Sequence, residues 1–442
     1  MFSSPWHYLT DPVLQAPTLG SMLMCLSSAL VGVIVFLRKR SLLGEALSHA
    51  TYPGVVISVC IVAIFFPRSS DLLAVVILAG GFLSSLLGLW VIEKMVGRFR
   101  VKSDAALCLV LSVFFGVGVL VASRIQFTHA LWYKTVQIFL YGQAATMINI
   151  HVVLYACLAA LLIVVLFFLY RPIQMIIFDR DFSRSASVPV RALDSLLFLL
   201  LALAIVIGIR SVGVVLMAGM LIAPAVAARQ FSHRFSVVLI LAGAIGAISG
   251  FFGNYLSVEI PEWGMRQGWN WNFSLPTGPM ILLSASCICI LALLLAPQNG
   301  LVSRLVRILA FRKQCVEDHL LKNLWRLGEG AEVSLAEIGK WQPLPLLLIW
   351  RLKRQGWIKQ SESKLISLTK EGRLRGASIV RLHRLWEAYL VFLGQGAEKV
   401  HRSAEEMEHI ITPELEKALT ELLGDPKRDP HAQPIPPKEE TL

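Results

Sequence analysis

Histidine and glutamate recur at helical spacing near the end of the chain. The residues are His383 and Glu387, His401 and Glu405, Glu405 and His409, each pair four positions apart, with Glu408 beside the last. Side chains four apart share one face of a helix, so two neighbouring helices can bring these groups together. Nitrogen and oxygen donors without cysteine suit Mn(II), Fe(II) or Zn(II). The pattern predicts a metal site, and the alternative is an exposed acidic helix with scattered histidines.

A further pair, Glu45 and His49, lies in an apolar part of the sequence. The two residues are four apart, hence on one helical face, and ionisable groups at membrane depth are costly and often functional. This pair could bind a divalent cation in transit. The alternative is that both side chains lie at the cytoplasmic headgroup level as a pair at the start of a helix.

The elements that carry these residues fall into two compositional classes. Of 442 residues, 56% are hydrophobic and only 16% are charged, and the shortage of charge is concentrated before about residue 300. About twenty apolar residues suffice for a helix to cross a membrane, and continuous runs indicate helices rather than a barrel. We predict nine spans, at residues 19–37, 45–66, 71–93, 103–122, 149–170, 192–210, 212–228, 235–255 and 277–296.

Basic residues indicate how these spans are oriented. Arg and Lys cluster after the first, third, fifth, seventh and ninth spans. The positive-inside rule therefore predicts an exterior amino terminus and a cytoplasmic carboxyl terminus. The exterior loop predicted at 256–275 carries Trp263, Trp269 and Trp271, which is typical of an aromatic belt at the membrane surface.

The membrane half resembles the ABC-3 family of metal-ion ABC permeases across about residues 15–300. The resemblance rests on residues 42–50 with Pro53 and Gly54, residues 212–225 with 227–229, residues 250–257, and residues 276–279. It implies import of manganese, zinc or iron, with Glu45 where the family usually has Asp. It also implies that the loop near 227–235 docks on an ATPase.

Partners follow from this resemblance and from one absence in the sequence. The chain contains no G-x-x-x-x-G-K-[ST] phosphate loop, so a separate cytoplasmic ABC ATPase subunit must hydrolyse any ATP. An extracytoplasmic metal-binding protein is expected to deliver the ion, and the permease is expected to pair with a sister permease or to form a homodimer in the membrane lipid. No catalytic constellation is recognised, so we do not expect the chain to be an enzyme.

The polar last third predicts a winged helix-turn-helix. Ser334 and Glu337 fit a capping box that opens a short helix, and a second helix is predicted at about 344–355, ending at Gly356. A short hairpin follows at 357–369. Basic residues in this region are candidate phosphate contacts: Arg351, Lys353, Arg354, Lys359 and Lys364. The alternative is a winged helix that contacts protein.

This part resembles the DtxR/MntR family of metal-dependent repressors across about residues 315–437. The matching words lie at 316–318, 368–373, 381–387, 400–401, 404–405, 408–409, 429–431 and 434–436. The resemblance implies a metal-sensing set of Asp318, His383, Glu405, Glu408 and His409, and an ancillary site with Glu387 and His401. One ligand of the manganese-type branch falls on Leu321, which cannot coordinate, and leucines occupy the recognition helix where polar base-reading residues are usual.

We therefore predict an all-α polytopic membrane domain, a winged helix-turn-helix domain and an α-helical metal-binding and dimerisation domain. The expected boundaries are 1–300, a cytoplasmic linker at 301–314, 315–375 and 376–442. The predicted function is that of an inner-membrane permease subunit for Fe(II), Mn(II) or Zn(II), joined to a metal-dependent repressor of operator DNA. Cleavage between about Pro297 and Cys315 could release the repressor. The rival hypotheses are a membrane-anchored metal sensor without transport activity and an ion-coupled carrier that needs no ATP.

Overall fold

A computed structural model describes residues 4–65, 70–128, 130–268, 275–328, 330–334, 337–338, 346–361 and 365–438. The chain divides into two compact units, Met1–Arg304 and Leu305–Leu442, called below the membrane unit and the C-terminal unit. The linker predicted at 301–314 spans this division and is helical, because it lies within one helix, Leu301–Arg326.

The membrane unit is helical throughout its described residues. Its helices are α1 His7–Thr10, α2 Pro12–Leu37, α3 Ser41–Phe65, α4 Ser70–Gly97, α5 Ser103–Thr128, α6 Ala130–Tyr141, α7 Asn149–Phe168, α8 Tyr170–Phe178, α9 Arg180–Ser185, α10 Val190–Val212, α11 Val214–Phe231, α12 Phe235–Arg266 and α13 Thr277–Leu295, with a 3-10 turn at Ala144–Thr146. Nine of the described helices are long and apolar enough to cross a membrane: α2, α3, α4 from Val75, α5, α7 and α10 to α13. Each of the nine predicted spans falls on one of them, which confirms the predicted fold class of this unit.

Two features of the membrane unit differ from the sequence expectation. Helix α6 was not predicted, because its sequence mixes apolar with polar residues over only 12 positions. The exterior loop predicted at 256–275 is wrong in its first half, since α12 continues to Arg266 and carries Trp263. The carboxylate of Glu259 is buried in this extension and accepts a hydrogen bond from the Tyr8 hydroxyl at 3.0 Å. Trp269 and Trp271 lie outside the described residues.

Small residues allow the membrane helices to approach closely. A Cβ atom on Gly32 of α2 would lie 1.8 Å from the carbonyl oxygen of Leu221 in α11, so only glycine fits at this crossing. Gly213 joins α10 to α11 with φ of 95°, a conformation that residues with a side chain rarely adopt. The run of small residues at 213–225 is therefore explained by packing and by a sharp junction between two spans.

The C-terminal unit combines helices with a small sheet. Its elements are α14 Leu301–Arg326, which starts just before the unit boundary, β1 Val333–Ser334, α15 Leu346–Arg354, β2 Ile358–Gln360, β3 Leu365–Leu368, α16 Lys370–Phe392, a 3-10 turn Ala397–Lys399, α17 Val400–Met407 and α18 Pro413–Leu422. The strands form an antiparallel sheet in the order β1-β3-β2. The hairpin β2–β3 confirms the predicted wing.

The predicted helix-turn-helix is described only in part. The backbone N–H of Glu337 donates to Ser334 Oγ at 3.3 Å, which is one half of the predicted capping box. The turn at Gln342 and Pro343 lies outside the described residues. The second helix ends before Gly356, whose φ of 77° suits the predicted helix stop.

A separate hydrophobic core holds the C-terminal unit together. It is formed by α14, the strands, α15 and α16, and includes Leu321, Leu348 and Leu352. Leu321 is fully buried in this core, which explains an apolar residue at a position where the family resemblance implies a ligand. Leu348 is 3% exposed, so at least one leucine of the predicted recognition helix serves packing.

Candidate metal centre

Three helices of the C-terminal unit position the candidate ligands. Helix α14 carries Asp318, α16 carries His383 and Glu387, and α17 with the turn after it carries His401, Glu405, Glu408 and His409. The candidate ligands, which are spaced along single helices in the sequence, are thus brought together by three neighbouring helices. In the described part of the chain, three groups of His, Asp or Glu could share an ion, and all three lie in this unit.

The first group, called here the His319 triad, consists of His319, Glu408 and His409. His409 Nε2 lies 3.3 Å from His319 Nε2, and both nitrogens lie 3.6 Å from Glu408 Oε1. Burial, together with the neighbouring His409, lowers the pKa of His319. The neutral imidazole, which is the form that can bind a metal, is favoured as a result.

Asp318 lies behind this triad. Its Oδ2 is 3.1 Å from His409 Nδ1, and its Oδ1 accepts a hydrogen bond from Arg375 Nη2 at 3.3 Å. A carboxylate on Nδ1 holds the proton there and leaves Nε2 free as a donor to metal. The structure therefore places Asp318 as a partner of His409, whereas the family resemblance implies a direct ligand.

The second group, called here the His383 cluster, consists of His383, Glu387 and His401. Glu387 Oε1 lies 3.2 Å from His383 Nε2 and 2.8 Å from His401 Nδ1, and the two imidazoles are 3.1 Å apart. Glu405 stands at its edge, with Oε1 3.7 Å from His401 Nε2. The predicted ancillary residues Glu387 and His401 are thus together, and Glu405 adjoins His401. His383 contacts Glu387 through Nε2 and Glu408 of the His319 triad through Nδ1.

The protonation of the His383 cluster follows from its burial and its neighbours. Burial by itself raises the pKa of Glu387, but hydrogen bonds from His383 and His401 outweigh it and lower the pKa to about 2. Burial by itself lowers the pKa of His383, but Glu387 and Glu408 outweigh it and raise the pKa. Protonation of His383 therefore competes with binding of a metal ion at this cluster.

A buried lysine contacts both groups. Lys322 Nζ donates to Glu408 Oε2 at 2.7 Å and lies 3.1 Å from His383 Nδ1, which is itself 2.6 Å from the same carboxylate oxygen. The Lys322 side chain is 3% exposed. Burial lowers the pKa of Lys322, and the charge of Glu408 opposes that shift. Oε2 of Glu408 therefore contacts Lys322 and His383, while Oε1 faces the two imidazoles of the His319 triad.

A third group joins the tail of the chain to the His383 cluster. Glu387, Asp429 and His431 have ligand atoms within 4.8 Å of one another, with His431 Nδ1 3.7 Å from Glu387 Oε2. Asp429 also pairs with Arg384 at 3.4 Å and accepts the backbone N–H of His431 at 2.9 Å. Through these contacts the Asp-Pro-His segment at 429–431, part of the repressor resemblance, lies beside the candidate site.

Sequence reasoning missed His319, Lys322 and His431 as parts of the site. Lys322 follows Asp318 by four positions, so it shares a helix face with a candidate ligand, and this spacing could have identified it. His319 is adjacent to Asp318 and offers no such spacing signal. His431 reaches the site only through the folding of the tail.

The predicted pair in the membrane unit lies on α3. His49 is 9% exposed, its ring meets Phe115 edge-to-face at 4.6 Å, and its Nδ1 is buried without a hydrogen-bond partner among the described residues. Glu45 is half-buried. Neither residue belongs to a group of three or more candidate ligands in the described part of the chain.

The predicted DNA contacts occupy α15 and β2. Lys353, Arg354 and Lys359 are exposed, and Arg354 stacks on Trp350 at 5.4 Å. Arg351 is half-exposed, and its Nε pairs with Glu317 Oε1 at 3.3 Å, so that guanidinium is already engaged within the unit. Lys364 lies outside the described residues.

Comparison with known proteins assigns the membrane unit to a family. Residues 10–296 match the family model described as ABC 3 transport family. The chain belongs to the ABC 3 transport family. Residues 369–437 match the model of the iron dependent repressor, metal binding and dimerisation domain. Both resemblances recognised in the sequence are confirmed, and the chain is a multi-pass membrane permease with a repressor-type C-terminal domain.

Individual relatives agree with this assignment. A "Probable metal transport system membrane protein" of Chlamydia trachomatis is 37% identical over 438 residues, covering 96% of each chain. The "Manganese transport system membrane protein MntC" of Bacillus subtilis is 32% identical, over 88% of this chain and 87% of its own. The solved structure of PsaBC from Streptococcus pneumoniae in complex with Fab matches 68% of this chain and 97% of its own, with a TM-score of 0.55 and 22% identity, so the two share a fold.

Proposed function

We propose that the membrane unit imports a divalent transition metal and that the C-terminal unit senses it and controls transcription. The observation that carries the sensor part is the pair of adjoining donor groups, the His319 triad and the His383 cluster, built from buried carboxylates and imidazoles. These donors suit Fe(II) or Mn(II), with Zn(II) as a further candidate. The transport part rests on family membership and on relatives named for manganese and zinc transport.

ATP hydrolysis belongs to a separate subunit in this proposal. The sequence carries no phosphate-binding loop of the Walker type, so a cytoplasmic ABC ATPase is required. Residues 227–235 are the proposed docking segment for it. The loop expected there is shorter in the structure, since the segment runs from the last turns of α11 to the first residue of α12. An extracytoplasmic metal-binding protein delivers the ion, and a second permease, either a sister chain or a second copy, completes the pathway. In this scheme Glu45 and His49 contact the passing ion.

The residues of the C-terminal unit fit a bound metal on chemical grounds. Glu408 Oε1 is buried and accepts no hydrogen bond from the described residues, which is costly unless a cation completes its surroundings. A bound ion supplies positive charge that joins α14 to the turn after α17. Glu408 and His409 lie in that turn, so a bound ion would fix the turn against α14. We propose that this fixed conformation is the one that binds operator DNA.

DNA is bound, in this proposal, through α15 and the wing. Lys353, Arg354 and Lys359 are exposed cations that would contact phosphates and position the unit on the duplex. A cytoplasmic location of this unit is supported by the positive-inside pattern of the sequence. Release by cleavage between about Pro297 and Cys315 would free the repressor from the membrane. An immunoblot with an antibody against the tail tests release, since full-length protein alone would argue for action at the membrane.

Transport is tested in proteoliposomes that hold this chain with its ATPase. We expect Mn(II) uptake that requires ATP, and we expect its loss in His49→Ala. His7→Ala, a change at an exposed histidine of the same unit, serves as the matched control. Uptake without ATP would favour an ion-coupled carrier, and no uptake at all would favour an anchored sensor without transport.

Repression is tested by gel shift of the fragment 315–442 on its own promoter DNA. We expect a shift with Fe(II), Mn(II) or Zn(II) that is lost on adding chelator. Binding that is insensitive to chelator would contradict the sensor role.

A further inference from the structure

We propose that His319 is a metal ligand and that His319 Nε2, His409 Nε2 and Glu408 Oε1 form a three-donor ion site that loads separately from the His383 cluster. The inference rests on the proposed metal-sensing function and names the residues of one of its sites. It departs from the set implied by the family resemblance, in which Asp318, His383 and Glu405 accompany Glu408 and His409.

The first support is the geometry of the three donor atoms. They form a triangle with sides of 3.3, 3.6 and 3.6 Å. A point equidistant from its corners lies about 2.0 Å from each atom, which is close to the usual length of a metal–imidazole bond. Two imidazoles and one carboxylate are donors that suit Fe(II), Mn(II) or Zn(II).

The second support is the state of Glu408. Its side chain is fully buried, and Oε1 accepts no hydrogen bond from the described residues. Its other oxygen receives hydrogen bonds from Lys322 and His383 at 2.7 and 2.6 Å. The carboxylate is therefore held by one oxygen and directs the other toward the two imidazoles.

The third support is that one histidine is oriented for ligation and the other is accessible from solvent. Asp318 holds His409 at Nδ1, which leaves Nε2 as the donor. The buried side chain of His409 is 3% exposed, whereas that of His319 is 40% exposed. His319 thus stands at the open side of the triad, where an ion and its remaining water ligands can enter.

Lys322 explains why the two groups load separately. Its ammonium contacts both Glu408 Oε2 and His383 Nδ1, which are themselves 2.6 Å apart, so an ion that bridged these two atoms would have to displace the ammonium. Lys322 is accordingly a positioning residue that fixes Glu408 and excludes an ion bridging to His383. One ion in the His319 triad and one in the His383 cluster are expected.

The experiment counts Co(II) and Mn(II) bound to the full chain in lipid nanodiscs, by calorimetry and by metal analysis after desalting. His319→Gln is compared with wild type and with His401→Gln, a matched control in which a half-exposed histidine of the other cluster is replaced. Ions bound by the membrane unit are common to all three proteins and cancel in the differences. Circular dichroism of the metal-free proteins shows whether each variant is folded.

We expect His319→Gln to weaken one binding step by at least about 10-fold, as loss of a ligand should, and to change the visible absorption of bound Co(II). His401→Gln should weaken the other step. A folded His319→Gln variant with both steps and the absorption unchanged would overturn the role of His319. Absence of saturable binding in wild type would instead overturn the proposed sensing function.

Discussion

Two buried carboxylates, one in each unit, differ in how many of their oxygens are paired. Asp194 of the membrane unit pairs one oxygen with Arg38 and the other with Arg180 Nη2 at 2.5 Å. Glu408 of the C-terminal unit pairs one oxygen with Lys322 and His383 and leaves the other without a hydrogen bond. A carboxylate with both oxygens paired to guanidinium groups has no capacity for an ion, whereas one with a spare oxygen has. The first is structural, and the second is suited to binding.

Histidines of the two units differ in how they are held. His409 is held at Nδ1 by Asp318 and offers Nε2 to the His319 triad. In the membrane unit, His49 has a buried Nδ1 with no described hydrogen-bond partner and packs against Phe115. His49 thus resembles His409, a residue of the proposed sensor, in having a ring nitrogen that could bind a metal ion. In the described part of the chain, His49 belongs to no group of three candidate ligands.

The largest effect is expected at Lys322, the buried lysine that contacts both donor groups. Lys322→Met leaves Glu408 without its ammonium partner, and removing one partner of a buried pair typically destabilises by about 3–5 kcal/mol. We expect the free energy of unfolding of the metal-free C-terminal unit to fall by about that amount, measured by chemical denaturation. Lys417→Met, which breaks an exposed pair with Glu421, should change it by less than about 0.5 kcal/mol. Equal losses in the two variants would remove the contrast between buried and exposed charge.

A smaller loss is expected for the carboxylate of the membrane unit. Asp194→Asn keeps the shape of the side chain but leaves Arg38 and Arg180 without a counter-charge. Because the site is only partly shielded from solvent, we expect a loss of about 2 kcal/mol in the free energy of unfolding in detergent. Asp181→Asn is the control, since that carboxylate is exposed and pairs with Arg184. An unchanged Asp194→Asn protein would show that this pairing is dispensable.

The role of Asp318 behind His409 gives a third prediction. Asp318→Asn preserves the size of the side chain but weakens its hold on His409 Nδ1. Residues that orient a ligand typically contribute about 10–100-fold to metal affinity, and we expect a loss in that range for Mn(II) in a calorimetric titration. Asp425→Asn, at an exposed carboxylate paired with Lys427, should leave the affinity unchanged. Complete loss of binding in Asp318→Asn would favour direct ligation.

The smallest effect is expected at the proposed DNA surface. Lys359→Ala removes one exposed cation of β2 and should weaken DNA binding similarly on all sequences, lowering the slope of affinity against salt by about one. Lys399→Ala, an exposed lysine on the 3-10 turn before α17, is the control. A salt dependence that is identical in Lys359→Ala and wild type would exclude this strand from the phosphate contacts.

Much of the fold could be predicted because its signals are local. The nine spans follow from continuous apolar runs, and the wing follows from short strands after Gly356. Helix α6 escaped prediction because it is only 12 residues long and mixes apolar with polar residues. The extension of α12 escaped prediction because it makes tertiary contacts, such as the hydrogen bond between Tyr8 and Glu259.

The site was predictable in its ligand types and less so in their grouping. Spacing alone places His383 beside Glu387 and His401 beside Glu405 on their helices. It cannot show that Lys322 of another helix contacts both His383 and Glu408, or that His319 lies against His409. These contacts join residues up to 90 positions apart and depend on how three helices pack.

The most direct test of the account measures metal binding and DNA binding on the same protein. Mn(II) and Fe(II) are titrated anaerobically into the full chain in nanodiscs, with and without its promoter DNA. If metal binding increases the affinity for DNA by some factor, then DNA must increase the affinity for metal by the same factor, because binding free energies are reciprocally linked. We predict a matching increase of about 5-fold or more in both directions. Metal affinities that are identical with and without DNA would contradict the account.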